Sequence, residues 1–222
     1  VKEMLEKQVF PEIRPAADAP IFKPYDVTGW TLPLQMGVSW SAIEEPLGEE
    51  ARAALVKMTG PPAPAEEATR VTGGDRTDVK FYAIPHRTNA ASLAINRLLK
   101  AGRDVSLAAT PFRAEGRSFE AGTILVATDA AAAGDVRQVA ADLAVAPVAL
   151  GAVGTAQGPL EVRRLKIPRV GLYKPWAASM DEGWTRLVLD RAEFAYQNLD
   201  NAAVKAAGLK GRFDVIILPN VE

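Results

Sequence analysis

The feature that most constrains the fold is the alternation of short apolar runs with helical patterns between residues 79 and 218. "VKFYAI" (79–84) is typical of a buried strand, and the helical pattern after it runs to Lys100 and ends at Gly102. "DVSLAA" (104–109) completes a strand-helix-strand unit of about 30 residues, the size of a parallel crossover. The sequence therefore predicts an α/β fold with a parallel sheet.

A hairpin and a second helix are predicted to follow this unit. "FRAEGRSFEAGTILVAT" (112–128) is typical of two strands joined by a tight turn near Glu115 and Gly116. The next helical pattern is expected to have its cap near Asp135, and "APVALGAV" (146–153) predicts another strand.

A second strand-helix unit is predicted from residue 170 onward. An apolar strand at 170–173 leads into a helix expected over 181–191. Trp184, Leu187 and Val188 share one side of this helix, which we expect to face the core. The remaining elements are expected at 194–199 (strand), 201–207 (helix) and 213–218 (strand).

The two ends of the chain differ from this regular middle. Prolines interrupt the first sixty residues, apart from a short helical pattern that starts at Glu49, and "GPPAPAEEA" (60–68) is typical of a linker. The predicted domains are an irregular arm with linker (1–68), a first α/β domain (69–165) and the start of a second α/β domain (166–222). Because the final strand pattern has no helix after it, we expect a piece of a longer polypeptide.

The residue inventory excludes several chemistries. The chain of 222 residues has no cysteine, which removes disulfides, thiolate nucleophiles and cysteine-bound zinc. Its single histidine, His86, could serve at most one of the roles that a serine triad or a histidine-bound zinc requires. We therefore predict no catalytic residue and no metal ligand in this segment.

The charge pattern also limits the partners. The formal net charge is −1 and is spread evenly, so no basic face for a nucleic acid is expected. No apolar run approaches the roughly 18 residues of a membrane span. We predict neither a nucleic-acid nor a membrane partner.

Two stretches resemble a known family. "KPYDVTGWTLPLQMGV" (23–38) and the long segment from "PRVGLYKPW" to "FDVIILPN" (168–220) are similar to the C-terminal regions of large bacterial zinc carboxypeptidase-like proteins. In these, an α/β extension follows a carboxypeptidase A-type catalytic domain, and the later part of the extension looks like the class I glutamine amidotransferase superfamily. The resemblance implies a flavodoxin-like parallel sheet, a parent protein that is a zinc hydrolase, and an extracytoplasmic location.

The resemblance carries over no functional residue. The family's zinc site uses a His-x-x-Glu pair, but "IPHRTN" has Asn89 where the glutamate would stand after His86. The amidotransferase-like half ends before the position of that superfamily's nucleophile. Zinc is therefore implied only in the catalytic domain of the parent protein, and no cofactor is predicted in this segment.

We expect a non-catalytic accessory segment whose partner is the catalytic domain of the same polypeptide, with self-association as a further possibility. The alternative is a stand-alone module of amidotransferase-like fold that binds a small molecule or a sugar. A third interpretation is an oligomerisation domain that uses the arm at 15–38.

The candidate ligand-binding residues lie where strands end. Trp176, Ser179, Asp181 and Glu182 follow the strand at 170–173, where open α/β sheets bind ligands, and His86 follows the strand at 79–84. Trp176 could stack on a ring, and Ser179 could donate a hydrogen bond. Structural roles remain open for all five, because carboxylates often occupy a helix N-terminus and a lone loop histidine is often a cap.

Overall fold

A computed structural model describes residues 14, 16–20, 41, 43, 45–55, 63–153, 158–206 and 208–220. The chain divides into two compact units, Val1–Pro62 and Ala63–Glu222. In the first unit the described residues include helix α1 (Glu49–Ala54), where the sequence predicts a helix. Most of the predicted proline-rich arm lies outside the described residues.

The second unit holds two larger sheets, one small hairpin and five α-helices within its described part. After a 3-10 helix (Glu66–Ala68), the elements in chain order are β1 (Phe81–Ile84), α2 (Asn89–Lys100), β2 (Val105–Ala108), β3 (Phe112–Ala114), β4 (Arg117–Phe119), β5 (Ile124–Ala127), α3 (Ala132–Leu143), β6 (Val148–Leu150), β7 (Val162–Arg164), β8 (Val170–Tyr173), α4 (Met180–Arg191), β9 (Tyr196–Leu199), α5 (Asn201–Lys205), α6 (Leu209–Arg212) and β10 (Val215–Ile217).

The first sheet has five strands in the order β6-β1-β5-β2-β7, and each neighbouring pair is antiparallel. The predicted parallel sheet is therefore wrong for this half of the unit. The crossover β1-α2-β2 does bring β1 and β2 into the same direction, but β5 lies between them and pairs with both. Val126 of β5 is opposite Tyr82 on one side and Val105 on the other. This is a split β-α-β arrangement.

Helices α2 and α3 cover one face of this sheet and form its main core. The buried side chains here are apolar, and full burial of each large one contributes roughly 1.5–3 kcal/mol. Helix α3 begins before the predicted Asp135. Its first turn is capped by Asp129, whose carboxylate accepts hydrogen bonds from the backbone N–H groups of Ala131 (2.8 Å) and Ala132 (2.9 Å). These hydrogen bonds hold the pKa of Asp129 below its ordinary value.

The opposite face of the first sheet is covered by the hairpin β3–β4. As predicted, the turn lies at Glu115 and Gly116, whose φ angles of 50° and 72° suit a two-residue hairpin turn. The rings of Phe112 and Phe119 stack with centroids 4.8 Å apart and are buried against the sheet. The later part of the predicted return strand is instead β5, which joins the main sheet. Strand β7 was not predicted.

The second sheet is parallel, as the sequence predicts, with the strand order β10-β8-β9. Central strand β8 is buried, and its Leu172 is fully inaccessible. Helix α4 connects β8 to β9. The predicted helix at 201–207 is replaced by two shorter ones, α5 and α6, on either side of Gly208, whose φ is 90°.

An ion pair fastens the start of β8 to the start of β10. Asp214 accepts hydrogen bonds from the backbone N–H (2.9 Å) and the guanidinium of Arg169 and from Lys166 Nζ (3.1 Å). These partners hold the pKa of the Asp214 carboxyl far below its ordinary value, and the same pair raises the pKa of Arg169.

Two side chains of α2 fasten the two sheets together. Asn96, which is buried, donates from Nδ2 to the carbonyl oxygen of Ala192 at 2.7 Å. Arg97 donates to Glu193 Oε1 from Nε (3.0 Å) and Nη2 (2.9 Å). Ala192 and Glu193 form the turn that ends α4. The contact therefore fixes the end of α4 against α2, the helix that covers the first sheet. It also lowers the pKa of Glu193, chiefly through the Arg97 hydrogen bonds.

Replacement of Gly171 tests the packing of the parallel sheet. An added Cβ would lie 2.6 Å from Leu199 Cδ1 and 3.3 Å from Phe213 Cδ1, so we expect Gly171→Ala to lower the free energy of unfolding by about 1–3 kcal/mol. Gly183 in α4 has open space around it, and Gly183→Ala should raise stability by about 0.5–1 kcal/mol. Denaturant unfolding measures both, and a Gly171→Ala protein as stable as wild type would contradict this packing.

The Asp214 ion pair predicts a specific pH dependence. Because the folded-state pKa lies below the ordinary value of 3.8, the carboxylate stabilises the fold above that value, and this contribution is lost as the pH falls through the folded-state pKa. Asp214→Asn should therefore destabilise at neutral pH, and the difference from wild type should shrink below pH 3.8. Denaturant unfolding from pH 7 downward measures this, and a pH-independent difference would refute the assignment.

Candidate functional site

An open cleft of about 630 Å³ lies at the carboxyl ends of β8 and β9. It is lined by residues 174–176, 198 and 200–202. The cleft exists because the two parallel strands end at the same edge of the sheet, and the chain leaves β8 into the loop that precedes α4. This edge is where open parallel sheets bind ligands.

Trp176 is the most exposed large side chain in the cleft. Its indole is 99% exposed, so both ring faces are open to solvent. Lys174 lies beside it, and its backbone N–H donates to the carbonyl oxygen of Leu199 at 2.9 Å, which ties the loop to β9. An exposed indole next to an ammonium and an amide (Asn198) suits a flat polar ligand, for example a sugar ring.

Other polar groups of the cleft have internal partners. The Asp200 carboxylate caps α5 by accepting from the backbone N–H of Ala203 at 2.7 Å. The Tyr173 hydroxyl donates to Asn201 Oδ1 at 2.6 Å. These contacts hold one wall of the cleft, whereas the side chains of Trp176, Lys174 and Asn198 have no hydrogen-bond or ion-pair partner among the described residues.

Three of the predicted site residues belong to the start of α4 and do not line the cleft. Ser179 is the helix cap: its Oγ accepts from the Glu182 backbone N–H at 3.2 Å and donates to the carbonyl oxygen of Asn220 at 3.4 Å. Asp181 is exposed, and its carbonyl oxygen accepts from Thr185 Oγ1. Asp181 and Glu182 lie in the first turn of α4, as expected of carboxylates at a helix N-terminus, but the side-chain cap hydrogen bond comes from Ser179.

Glu182 is the buried residue of α4, with 4% of its surface exposed. Its Oε2 accepts from Arg186 Nη2 at 3.3 Å, while Oε1 has no hydrogen-bond partner in the described part of the chain. Arg186 and Glu182 lie near Tyr196 of β9, whose hydroxyl donates to Asp190. Burial raises the pKa of the Tyr196 phenol, and the hydrogen bond to Asp190 acts in the same direction.

The apolar side of α4 faces outward, which the sequence did not predict. Trp184, Leu187 and Val188 are 61%, 37% and 63% exposed, so their predicted place in the core is wrong. The inner side of the helix holds Glu182, which is buried, and Leu189, which is half-buried, and Asn96 and Arg97 bind the turn that follows the helix. Met180 completes the outward stripe.

His86 lies in the loop after β1, far along the chain from the Trp176 cleft and on the other sheet. Its Nε2 is 3.3 Å from Ser92 Oγ. Within the described residues no carboxylate accepts a hydrogen bond from its Nδ1, so the pair lacks the group that orients a catalytic imidazole. The structure thus places the five predicted residues at three different locations, and only Trp176 lines the cleft.

The residues described do not fit a zinc site. In the ranges given above, no three histidine, aspartate or glutamate side chains come together in a group that could hold a metal ion. Among the same residues, no helix has the length and apolar character needed to cross a membrane.

Comparison with known proteins finds no relative of this chain. No family model matches the chain, and neither a curated protein nor a solved structure matches it significantly. The function must therefore be inferred from the surfaces themselves.

Proposed function

We propose that the chain is a non-catalytic accessory module that packs on a catalytic domain through the outward side of α4 and the edge strand β10. The observation that carries this proposal is the exposed apolar stripe of α4: Met180, Trp184 and Val188, at intervals of four residues, are each more than half exposed. Exposed apolar patches of this kind mark interaction sites.

Strand β10 extends the same surface. Val215 is 48% and Leu218 69% exposed, and β10 pairs only with β8 among the described strands, so its other edge presents unpaired backbone groups. The hydrogen bond from Ser179 to the carbonyl oxygen of Asn220 joins the start of α4 to the segment just after β10. The stripe and the edge strand therefore adjoin at that corner, which we call the α4–β10 surface.

The partner that we propose is the catalytic domain of a zinc carboxypeptidase-like hydrolase, as the resemblance of residues 168–220 implies. Catalysis and zinc would belong to that domain. Exposed edge strands are normally paired or covered, and a protein domain seated on the α4–β10 surface would cover the free edge of β10.

Hydroxyl-radical footprinting tests this role, with the 222-residue chain compared with the natural polypeptide isolated from its source. We expect Met180 and Trp184 to be oxidised several-fold more slowly in the natural polypeptide, because the catalytic domain covers them. Trp176 is the internal control and should react equally in both. Equal reactivity of Met180 and Trp184 in the two samples would exclude the docking role.

A second candidate function is favoured by the Trp176 cleft: binding of a small neutral sugar. The open indole beside Lys174 and Asn198 supports it, and this role requires no partner domain. It would suit a stand-alone module of amidotransferase-like fold.

Titration with glucose, galactose, N-acetylglucosamine and maltose tests the sugar role. For at least one sugar we expect saturable binding by calorimetry, and an affinity reduced roughly tenfold or more by Trp176→Ala, the loss of one stacked ring. Trp184→Ala is the matched control and should leave the affinity unchanged. If no sugar binds, or if both variants weaken binding equally, the cleft is not a sugar site.

A further inference from the structure

A second cavity, of about 420 Å³, opens between the loop after β1 and the hairpin strand β4. It is lined by residues 85–87, by residues 117–121 and by Val148 of β6. The volume suits a small molecule. This cavity belongs to the first sheet and shares no residue with the Trp176 cleft or the α4–β10 surface.

Two exposed arginines, Arg87 and Arg117, line the cavity. Neither Arg87 nor Arg117 forms a salt bridge or a side-chain hydrogen bond with any residue that the structure describes, and both are exposed. A guanidinium is always charged, so both cations are available to a ligand. In contrast, Arg76 and Arg103 in the same half of the unit are each bound by two carboxylates.

The remaining charge of the lining does not cancel these cations. Among the described residues Glu120 is the one carboxylate that lines the cavity, so the two arginines leave an excess of positive charge there. His86 adds a ring nitrogen that is 3.3 Å from Ser92 Oγ. The polar rim therefore favours a negatively charged group.

The floor of the cavity is apolar and held in place. Phe119 is 6% exposed, and its stacking on Phe112 with centroids 4.8 Å apart fixes the ring. Pro85 and Val148 are further apolar residues of the lining. A ligand that suits this cavity carries an anionic group, which would contact Arg87 and Arg117, and an apolar part, which would contact Phe119.

We propose that this cavity binds a small organic oxyanion, whose carboxylate or phosphate is held by Arg87 and Arg117 and whose apolar part lies on Phe119. Guanidinium groups bind both kinds of oxyanion through paired N–H···O hydrogen bonds, so the shared chemistry is a planar or tetrahedral oxyanion. This binding is independent of the proposed docking role, since it uses none of the same residues.

Calorimetric titration of the 222-residue chain with benzoate, phenyl phosphate and the neutral control benzyl alcohol tests the proposal. We expect benzoate or phenyl phosphate to bind saturably, and benzyl alcohol to bind about tenfold or more weakly, since it cannot form a charge-assisted hydrogen bond. Tighter binding of phenyl phosphate identifies a phosphate ligand, and tighter binding of benzoate identifies a carboxylate ligand.

Variants assign the binding to the cavity. Arg87→Ala and Arg117→Ala should each weaken the better anion about tenfold, and Glu120→Gln should strengthen its binding, because a repelling charge is removed. Arg113→Ala is the matched control: Arg113 is an exposed arginine of the same hairpin that does not line the cavity. Unfolding midpoints equal to wild type show that each variant is folded.

Three results would overturn the proposal. The first is that neither anion binds saturably. The second is that benzyl alcohol binds as tightly as benzoate, which would make the site purely apolar. The third is that Arg113→Ala weakens binding as much as Arg117→Ala, which would mean that overall charge and not this cavity attracts the anion.

Discussion

The contact between α2 and the turn after α4 determines how the two sheets and their surfaces are arranged. Asn96 binds the carbonyl oxygen of Ala192, and Arg97 binds Glu193, so a helix of the antiparallel half holds the end of the helix that crosses the parallel half. Asn96 is buried, and the loss of a buried hydrogen-bond partner costs about 1–3 kcal/mol, far more than an exposed ion pair contributes.

The contact fixes the end of α4, the helix whose apolar side faces solvent. With its last turn fixed, the helix places Glu182 and Arg186 on its inner side near Tyr196 and turns Trp184 and Val188 outward. A helix whose buried residue is a glutamate contributes little apolar packing, and Glu182 Oε1 has no hydrogen-bond partner in the described part of the chain. The helix therefore presents to solvent the apolar side that most helices bury, and this inversion is the basis of the proposed docking role.

The sequence predicts most elements of the described part, because helices α2 and α4 and strands β1, β2 and β8 have clear periodicity. It does not predict which strands are neighbours. Nothing local to Ile124–Ala127 shows that β5 will lie between β1 and β2, and β7 ("VRR") lacks an apolar pattern. The candidate sites follow the same rule. The place of Trp176 after a strand is visible in the sequence, whereas Arg87 and Arg117, which have no partner among the described residues, line one cavity only because of the tertiary fold.

The outward orientation of α4 can be tested by the stability of the double variant Trp184→Ser, Val188→Ser in denaturant unfolding, with Leu172→Ala as the buried reference. Because both side chains are more than half exposed, we expect the double variant to change the free energy of unfolding by about 1 kcal/mol or less, whereas Leu172→Ala should cost about 2–5 kcal/mol. A loss in the double variant as large as that of Leu172→Ala would show that the stripe is core, and would contradict the outward orientation of α4.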